Sequence, residues 1–330
     1  MIRIKYIGRG MFEGAPSSTV GDCVFIYDSA CQEYDWLVVY DEFPKEDVGS
    51  LVGQAEPLAC PREHTILVTS EPPSIKIYPR CYTSQFGHVI TTHLPKYLPH
   101  PHHHIGAGAL MWMAGYPYGE VISEPDYEKT RQLSTVCSGK VQKHTMHYAR
   151  FSLTKYLSEH LPELEWFGRG VRPLENKYDA LNSYRYHIAV ENHIEAYHWT
   201  DKISDPLLGL CLTFYAGDPK LSEVLPADCF IPIPVDDPPR ALEIIRTAMA
   251  NNEYEKRLPA IREARHLLAT RYNFWQQVMQ VVHDNQDAPT APVTKQQWLC
   301  GRHRLRRNPL NALGEFLQLC RFRFRRVLPF

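Results

Sequence analysis

A chain of 330 residues, 44% hydrophobic and 12% aromatic, is long enough for about two domains with substantial cores, and its composition is neither disordered nor fibrous. The formal net charge of -1 hides an asymmetry, because the last 30 residues hold eight Arg against one acidic residue, Glu315. The body then carries about -8, which excludes the basic face that nucleic acid requires, while the tail suits an anionic partner.

No run of 18 or more apolar residues is present, and MIRIKYIGRG lacks the apolar region of a secretory signal, so the expectation is a cytoplasmic, non-spanning protein. Nine scattered cysteines without a C-x-x-C pair read as reduced, mostly structural thiols.

In chain order, IRIKYIG, DCVFIYDS, DWLVVYDE, TILVTSEP and GHVITTH each predict a strand bounded by turn residues, together one sheet. The segment YPYGEVISEPDYEKTRQ is poor in apolar periodicity and reads as an interdomain linker. A second alternating region follows. LSTVCSG, LEWFG, YRYHIAVEN, CLTFYAG and CFIPIPV predict strands, and HYARFSLTKYLSEHLPEL and TDKISDPLLGL predict helices. PPRALEIIRTAMA and YEKRLPAIREARHLLATRYNFWQQVMQVV predict two terminal helices. The expected division is 1–128, 129–284 and a basic amphipathic tail at 285–330, giving an α/β protein of two Rossmann-like doubly wound domains with ligands at the carboxyl ends of the strands.

One stretch, YRYHIAVENHIEAYHWTDK, carries chemistry. Glu191 and Asn192 stand at the end of a buried strand, and Thr200, Asp201 and Lys202 open the next helix. Free backbone N–H groups at that helix terminus and the Lys202 charge could hold a diphosphate without a glycine-rich loop. The alternative is that Thr200 only caps the helix and Lys202 is solvated.

From Tyr184 to Lys202 this stretch resembles, without gaps, the signature of the family 10 glycosyltransferases, the α-1,3/4-fucosyltransferases: Y-[RK]-F-x-[IL]-x-x-E-N-S-x-x-x-D-Y-[IV]-T-E-K. CLTFYAGDPKLSEVLPADCFI and WFGRGVRPLENKYDALNSYRY are similar to the flanking family segments, and together the resemblance covers about residues 133 to 282. This chain departs at His193, where the family has Ser, at Tyr197-His198 for its Asp-Tyr, and at Asp201 for its Glu.

The resemblance implies a GT-B fold with its two domains facing across a cleft. It also implies inverting transfer of L-fucose from GDP-fucose to a glycan hydroxyl, in surface polysaccharide or lipopolysaccharide synthesis. Carried over by position, it implies a diphosphate-binding role for Arg150 in HYARFSLTKYL, and a nucleotide-sugar pocket involving Glu191, Asn192, His198, Asp201 and Lys202. Glu71, after the strand in HTILVTSEPP, would be the base that takes the acceptor proton. The same fold with another donor, or an idle glycan- or nucleotide-binding module, are the other readings.

The chain has no D-x-D, so cationic side chains rather than a metal are expected to neutralise the diphosphate, with no cofactor. His100, His102, His103 and His104 in PHPHHHIGAG read as loop or acceptor contacts rather than a metal site. Trp112, Tyr116 and Glu120 are further acceptor-side candidates, because aromatic faces suit sugar C–H surfaces. Arg clusters around PLNALGEFLQLC, with Phe322 and Phe324 between arginines, suit peripheral docking on an anionic inner membrane face.

Overall fold

A computed structural model describes residues 1–8, 17–43, 55–106, 121–123, 127–140, 146–290 and 295–327. By contact the chain forms two units, Met1–Ala109 with Trp275–Phe330, and Leu110–Phe274. The first unit therefore takes back the last 56 residues, where the sequence suggested boundaries at 128/129 and 284/285 and a basic amphipathic tail.

In the first unit the strands are β1 (Ile2–Ile7), β2 (Ser17–Val20), β3 (Cys23–Ile26), β4 (Trp36–Tyr40), β5 (Ala55–Pro57) and β6 (Thr65–Val68). A short α1 (Arg80–Thr83), β7 (His88–Thr91) and β8 (His103–Ile105) follow. The sheet order is β2-β3-β1-β4-β6-β7-β8. Every pair is parallel except the β2–β3 hairpin. β4 and β6, WLVVY and TILV, are buried almost throughout, which is why these strands read as continuous apolar runs rather than alternating ones. Leu37, Val39, Leu67, Val89, Tyr82 and Phe86 form one core.

The second unit contains β9 (Arg131–Val136), α2 (His147–His160), β10 (Leu164–Phe167), β11 (Tyr184–Val190), α3 (Asp201–Leu208), β12 (Leu212–Ala216), β13 (Phe230–Pro232), α4 (Pro238–Ala250) and α5 (Glu253–Thr270). Its sheet runs β10-β9-β11-β12-β13, all parallel. Counted within the unit this is the order 2-1-3-4-5, whose direction of winding reverses between β9 and β11. α3 buries Ile203, Leu207 and Leu208, each contributing about 2 kcal/mol of transfer free energy. α4 starts where Pro238 and Pro239 preset the first turn and the Asp237 carboxylate accepts from the Arg240 N–H at 3.1 Å.

Back in the first unit, α6 (Phe274–Asn285) leads to β14 (Trp298–Cys300), α7 (Arg302–Leu305) and α8 (Pro309–Val327). β14 pairs antiparallel with β5, Leu299 opposite Glu56, and Leu299 is fully buried in the first core.

Three expectations are corrected. The single helix over 254–282 is two, because the Asn273 amide donates to the Leu268 and Ala269 carbonyls at 3.0 Å and closes α5. The strand before Glu71 ends at Val68, three residues early, since Thr69 turns its hydroxyl to Thr91 at 2.6 Å. His103 and His104 lie on strand β8, not in a loop, because His103 and His104 pair with Val89 and Ile90 of β7.

Candidate active site

In an open parallel sheet, ligands bind beyond the carboxyl ends of the strands where the winding reverses. In the second unit that place lies between β9 and β11, and the first helix after β9 and the first residues after β11 converge there. Arg150, in the first turn of α2, is 8% exposed and its Nη1 donates to the Asn192 Oδ1. The Arg150 Nε is buried with no partner. A buried guanidinium donor left unpaired costs on the order of 1–3 kcal/mol, and an anion would satisfy it.

Glu191 organises the other side. Its amide continues the sheet by donating to the Ala216 carbonyl at 2.8 Å, and its side chain is fully buried. The carboxylate accepts from the Thr200 N–H at 2.9 Å, from the Thr200 hydroxyl at 2.8 Å and from the Tyr215 hydroxyl at 3.4 Å. Lys202 Nζ lies 3.4 Å from Glu191 and donates to Thr200 Oγ1 at 2.9 Å. Glu191 thus holds the N-terminus of α3, and with it the Lys202 charge, beside the strand end. Thr200 does cap the helix, accepting from the Lys202 N–H at 3.3 Å.

Asp201 faces a cation, Lys177, whose part in the site no local pattern announces. Lys177 Nζ sits 2.6 Å from Asp201 and 2.7 Å from the fully buried Asp205. Burial pushes the Asp201 carboxyl up, but Lys177 and then Lys202 hold it well below the usual carboxylate range. Asp201 therefore joins the 3₁₀ turn Lys177–Ala180 to α3 as a fixed anion. His198 is buried, its ring 5.3 Å edge-on to His193.

A cavity of about 800 Å³ opens beside these residues at the ends of β12 and β13, lined by Met146, Ala149, Tyr215, Asp218, Phe230 and Asp236 among others. Asp218 was missed in the sequence. Its Oδ1 accepts from the Tyr197 and Lys220 N–H groups at 3.0 and 2.8 Å, whereas its buried Oδ2 has no partner. Burial raises its pKa. Tyr197 takes a left-handed φ of 64°, and its bond to Asp218 compensates that strain. The signal was present as the Gly-Asp-Pro after strand YA, but only the fold aims it at the cavity.

Glu71 belongs to the first unit. Its side chain is exposed at the carboxyl side of β6, and its main chain is gripped from both sides. The Tyr78 hydroxyl accepts from the Ser70 and Glu71 N–H groups at 3.2 and 3.4 Å and donates to Asp41. His93 Nε2 donates to the Glu71 carbonyl at 2.7 Å. Asp41, in turn, is 2.8 Å from Lys76. Burial raises the Asp41 carboxyl, and Lys76 and Tyr78 lower it further than that. The loops after β4, β6 and β7 are tied into one frame around the exposed Glu71. Nothing in the sequence joined Asp41, Tyr78 and His93, because they are far apart in the chain.

Of the histidine run, His100 Nε2 donates to the Phe86 carbonyl at 3.1 Å and His103 Nε2 to the His93 carbonyl at 2.8 Å, while His104 Nε2 lies 3.2 Å from His88 Nδ1. Trp112, Tyr116 and Glu120 lie outside the described residues.

The chain is an α/β protein of two Rossmann-like units, the sheet composition of the GT-B fold, with a candidate anion site at the switch point of the second. No family model matches the chain, and no curated protein does. Among solved structures, an alpha1,3-fucosyltransferase is 14% identical, with 86% of this chain and 89% of that one covered and a TM-score of 0.47. An alpha1,3-fucosyltransferase with GDP-fucose is 13% identical, with 88% and 91% covered and a TM-score of 0.47. The DNA-modifying enzyme beta-glucosyltransferase is 10% identical, with 86% and 100% covered and a TM-score of 0.44. At such values the fold assignment rests on the chain's own strand order.

Proposed function

We propose that the protein is an inverting glycosyltransferase of the fucosyltransferase type, taking L-fucose from GDP-fucose to a hydroxyl of a glycan acceptor. The observation that carries this reading is the Arg150–Asn192 pair at the switch point, with a buried guanidinium Nε awaiting an acceptor. Arg150 and Lys202 would neutralise the diphosphate as charge develops on it, and the N–H groups of the α3 terminus would add their dipole. The nucleoside portion would enter the neighbouring cavity, where the unpaired Asp218 oxygen suits a ring N–H donor. Glu71 would accept the proton of the attacking hydroxyl as the bond to the anomeric carbon forms and the nucleotide departs.

His193 and His198 stand where the family pattern has Ser and Tyr, which favours one second reading, the same reaction with a different nucleotide sugar. Peripheral attachment to an anionic membrane face is the localisation that fits α8. Among the described residues no helix is long and apolar enough to cross a membrane.

The test is nucleotide release from GDP-fucose, GDP-mannose and UDP-sugars, with and without glycan acceptors, by the wild type and by Glu71→Ala and Lys202→Ala. Turnover of GDP-fucose alone is expected, with Glu71→Ala lowering kcat by about 10²–10⁴-fold while nucleotide still binds. Turnover of another donor would overturn the fucosyl assignment and keep the mechanism. Tight nucleotide binding with no turnover of any donor would leave a binding module.

A further inference from the structure

The first unit contains a second polar cluster that the proposed transfer does not use. Asp22 lies in the β2–β3 turn, Cys23 opens β3, and His283 comes from the last turns of α6. Their ligating atoms lie within 4.8 Å of one another, the one such group of three among the described residues. His283 Nε2 is 2.9 Å from Asp22 Oδ1 and 4.0 Å from Cys23 Sγ, and Sγ is 3.6 Å from the same Asp22 oxygen.

A tetrahedral Zn²⁺ with one thiolate, one imidazole and one carboxylate sets its ligand atoms about 3.3–3.7 Å apart. The Cys23–Asp22 separation already falls in that range, and the two that involve His283, at 2.9 and 4.0 Å, depart from it by a few tenths of an ångström, an adjustment that an Asp and a His on the surface can make by side-chain rotation. The backbone beneath is held firmly. Gly21 turns the chain with a left-handed φ of 58°, and a Cβ there would lie 2.9 Å from the Met279 methyl of α6, so turn and helix are in close contact one helical turn from His283. Cys23 is fully buried and offers its sulfur from below, while Asp22 and His283 are partly open to solvent.

We propose that Asp22, Cys23 and His283 form a site for Zn²⁺ or a similar borderline divalent cation, completed by water, that ties α6 to the β2–β3 hairpin. On binding, the Cys23 thiol releases its proton to solvent as the sulfur–metal bond forms, and His283 coordinates as the neutral imidazole through Nε2. The mixed S, N, O donor set selects zinc over magnesium or calcium, which prefer oxygen alone. The position of the site gives it a purpose. α6 is the segment by which the chain returns to its first unit, and a cross-link there closes a loop of about 260 residues, which removes conformational freedom from the unfolded chain.

The experiment is titration of the chelator-treated full chain with Co²⁺ as a spectroscopic probe and with Zn²⁺ in a thermal melt. One equivalent of Co²⁺ is expected to produce thiolate-to-cobalt absorption, lost in Cys23→Ser and at least tenfold weaker in binding for His283→Ala. Zn²⁺ at a hundredfold excess over the wild-type dissociation constant should raise the melting midpoint by about 5 °C in the wild type and by no more than about half of that in either variant. His283 is at the surface, so its variant keeps the fold even if Cys23→Ser does not. Cobalt spectra without a thiolate band, as binding by the histidine run alone would produce, would overturn the site. So would a thiolate band of wild-type affinity in His283→Ala, or one retained in Cys23→Ser.

Discussion

At the scale of single residues, the site depends on close approach and on buried groups of fixed charge. Gly217 follows β12, and a Cβ there would fall 2.1 Å from the Tyr215 hydroxyl and 2.7 Å from Glu191 Cγ. Gly217→Ala must therefore displace the side chain that positions Thr200 and Lys202. We expect the fold to survive and nucleotide affinity to drop by about tenfold or more, measured by calorimetric titration with GDP, because the anion site moves while the sheet stays. Unchanged affinity would show that Glu191 does not position the site. His187 makes a different prediction. It is buried on β11 beside Ser134, 2.8 Å away, and burial, then the Lys177 and Lys129 charges, push its pKa down to about 3. In the unfolded chain the imidazole titrates near 6.5, so from about 6.5 down to 3 the unfolded state holds one more proton. The stability contributed by keeping His187 neutral is complete above about pH 6.5 and is lost as pH falls, by up to about 1.4 kcal/mol per pH unit. Urea midpoints measured from pH 6.5 to 4.5 should fall less steeply in His187→Gln; parallel slopes would contradict this.

At the scale of elements, α3 is decisive. Its eight residues carry a Thr N-cap, a buried apolar face and an interior Pro206, and Lys177 fastens its first turn from outside by bonding both Asp201 and Asp205. Lys177 is held charged because these two carboxylates outweigh the cost of its burial. Removing one partner leaves an uncompensated buried carboxylate, which is more costly than never having made the pair. Lys177→Met should lose about 3 kcal/mol in chemical denaturation, and a loss under about 1 kcal/mol would mean Asp205 finds another partner or takes up a proton. The strands and helices of this region were legible in the sequence because each is a local pattern: YRYHIAV and LTFYA are short runs rich in aromatic and aliphatic residues, and Asp237-Pro238-Pro239 announces a helix start. The break at Asn273 was not legible. An amide that closes one helix onto its own carbonyls looks, in sequence, like any polar residue on a helix surface.

At the scale of the whole molecule, the C-terminal segment belongs to the first unit. α8 lies on the first unit: Glu315 pairs with Arg302 and, at 3.3 Å, with Arg306, and the Gln318 amide donates to the Tyr78 carbonyl at 3.1 Å. Glu315 and Gln318 face inward, and Leu310, Leu313, Phe316 and Leu317 face out, from 54% to 77% exposed. An apolar stripe turned to solvent beside arginines is the geometry for an anionic bilayer surface. The double variant Leu313→Glu with Phe316→Glu should reduce partition onto phosphatidylserine-containing vesicles at least about tenfold in co-sedimentation, with circular dichroism unchanged. Equal partition of wild type and variant would remove the membrane from the proposal.

The sequence by itself determined the α/β class and most strands and helices, because apolar runs, caps and turn residues act over a few neighbours, and it singled out the segment from Tyr184 to Lys202 as the candidate site. Only the tertiary structure decided that Arg150 meets Asn192, that Lys177 rather than solvent faces Asp201, that Asp41, Tyr78 and His93 frame Glu71, and that residues 275–330 return to the first unit. Those pairings join residues from 7 to more than 200 positions apart, and most depend on which strands lie side by side and on how buried polar groups find partners. No local pattern carries that information, since it is a property of the packed sheet.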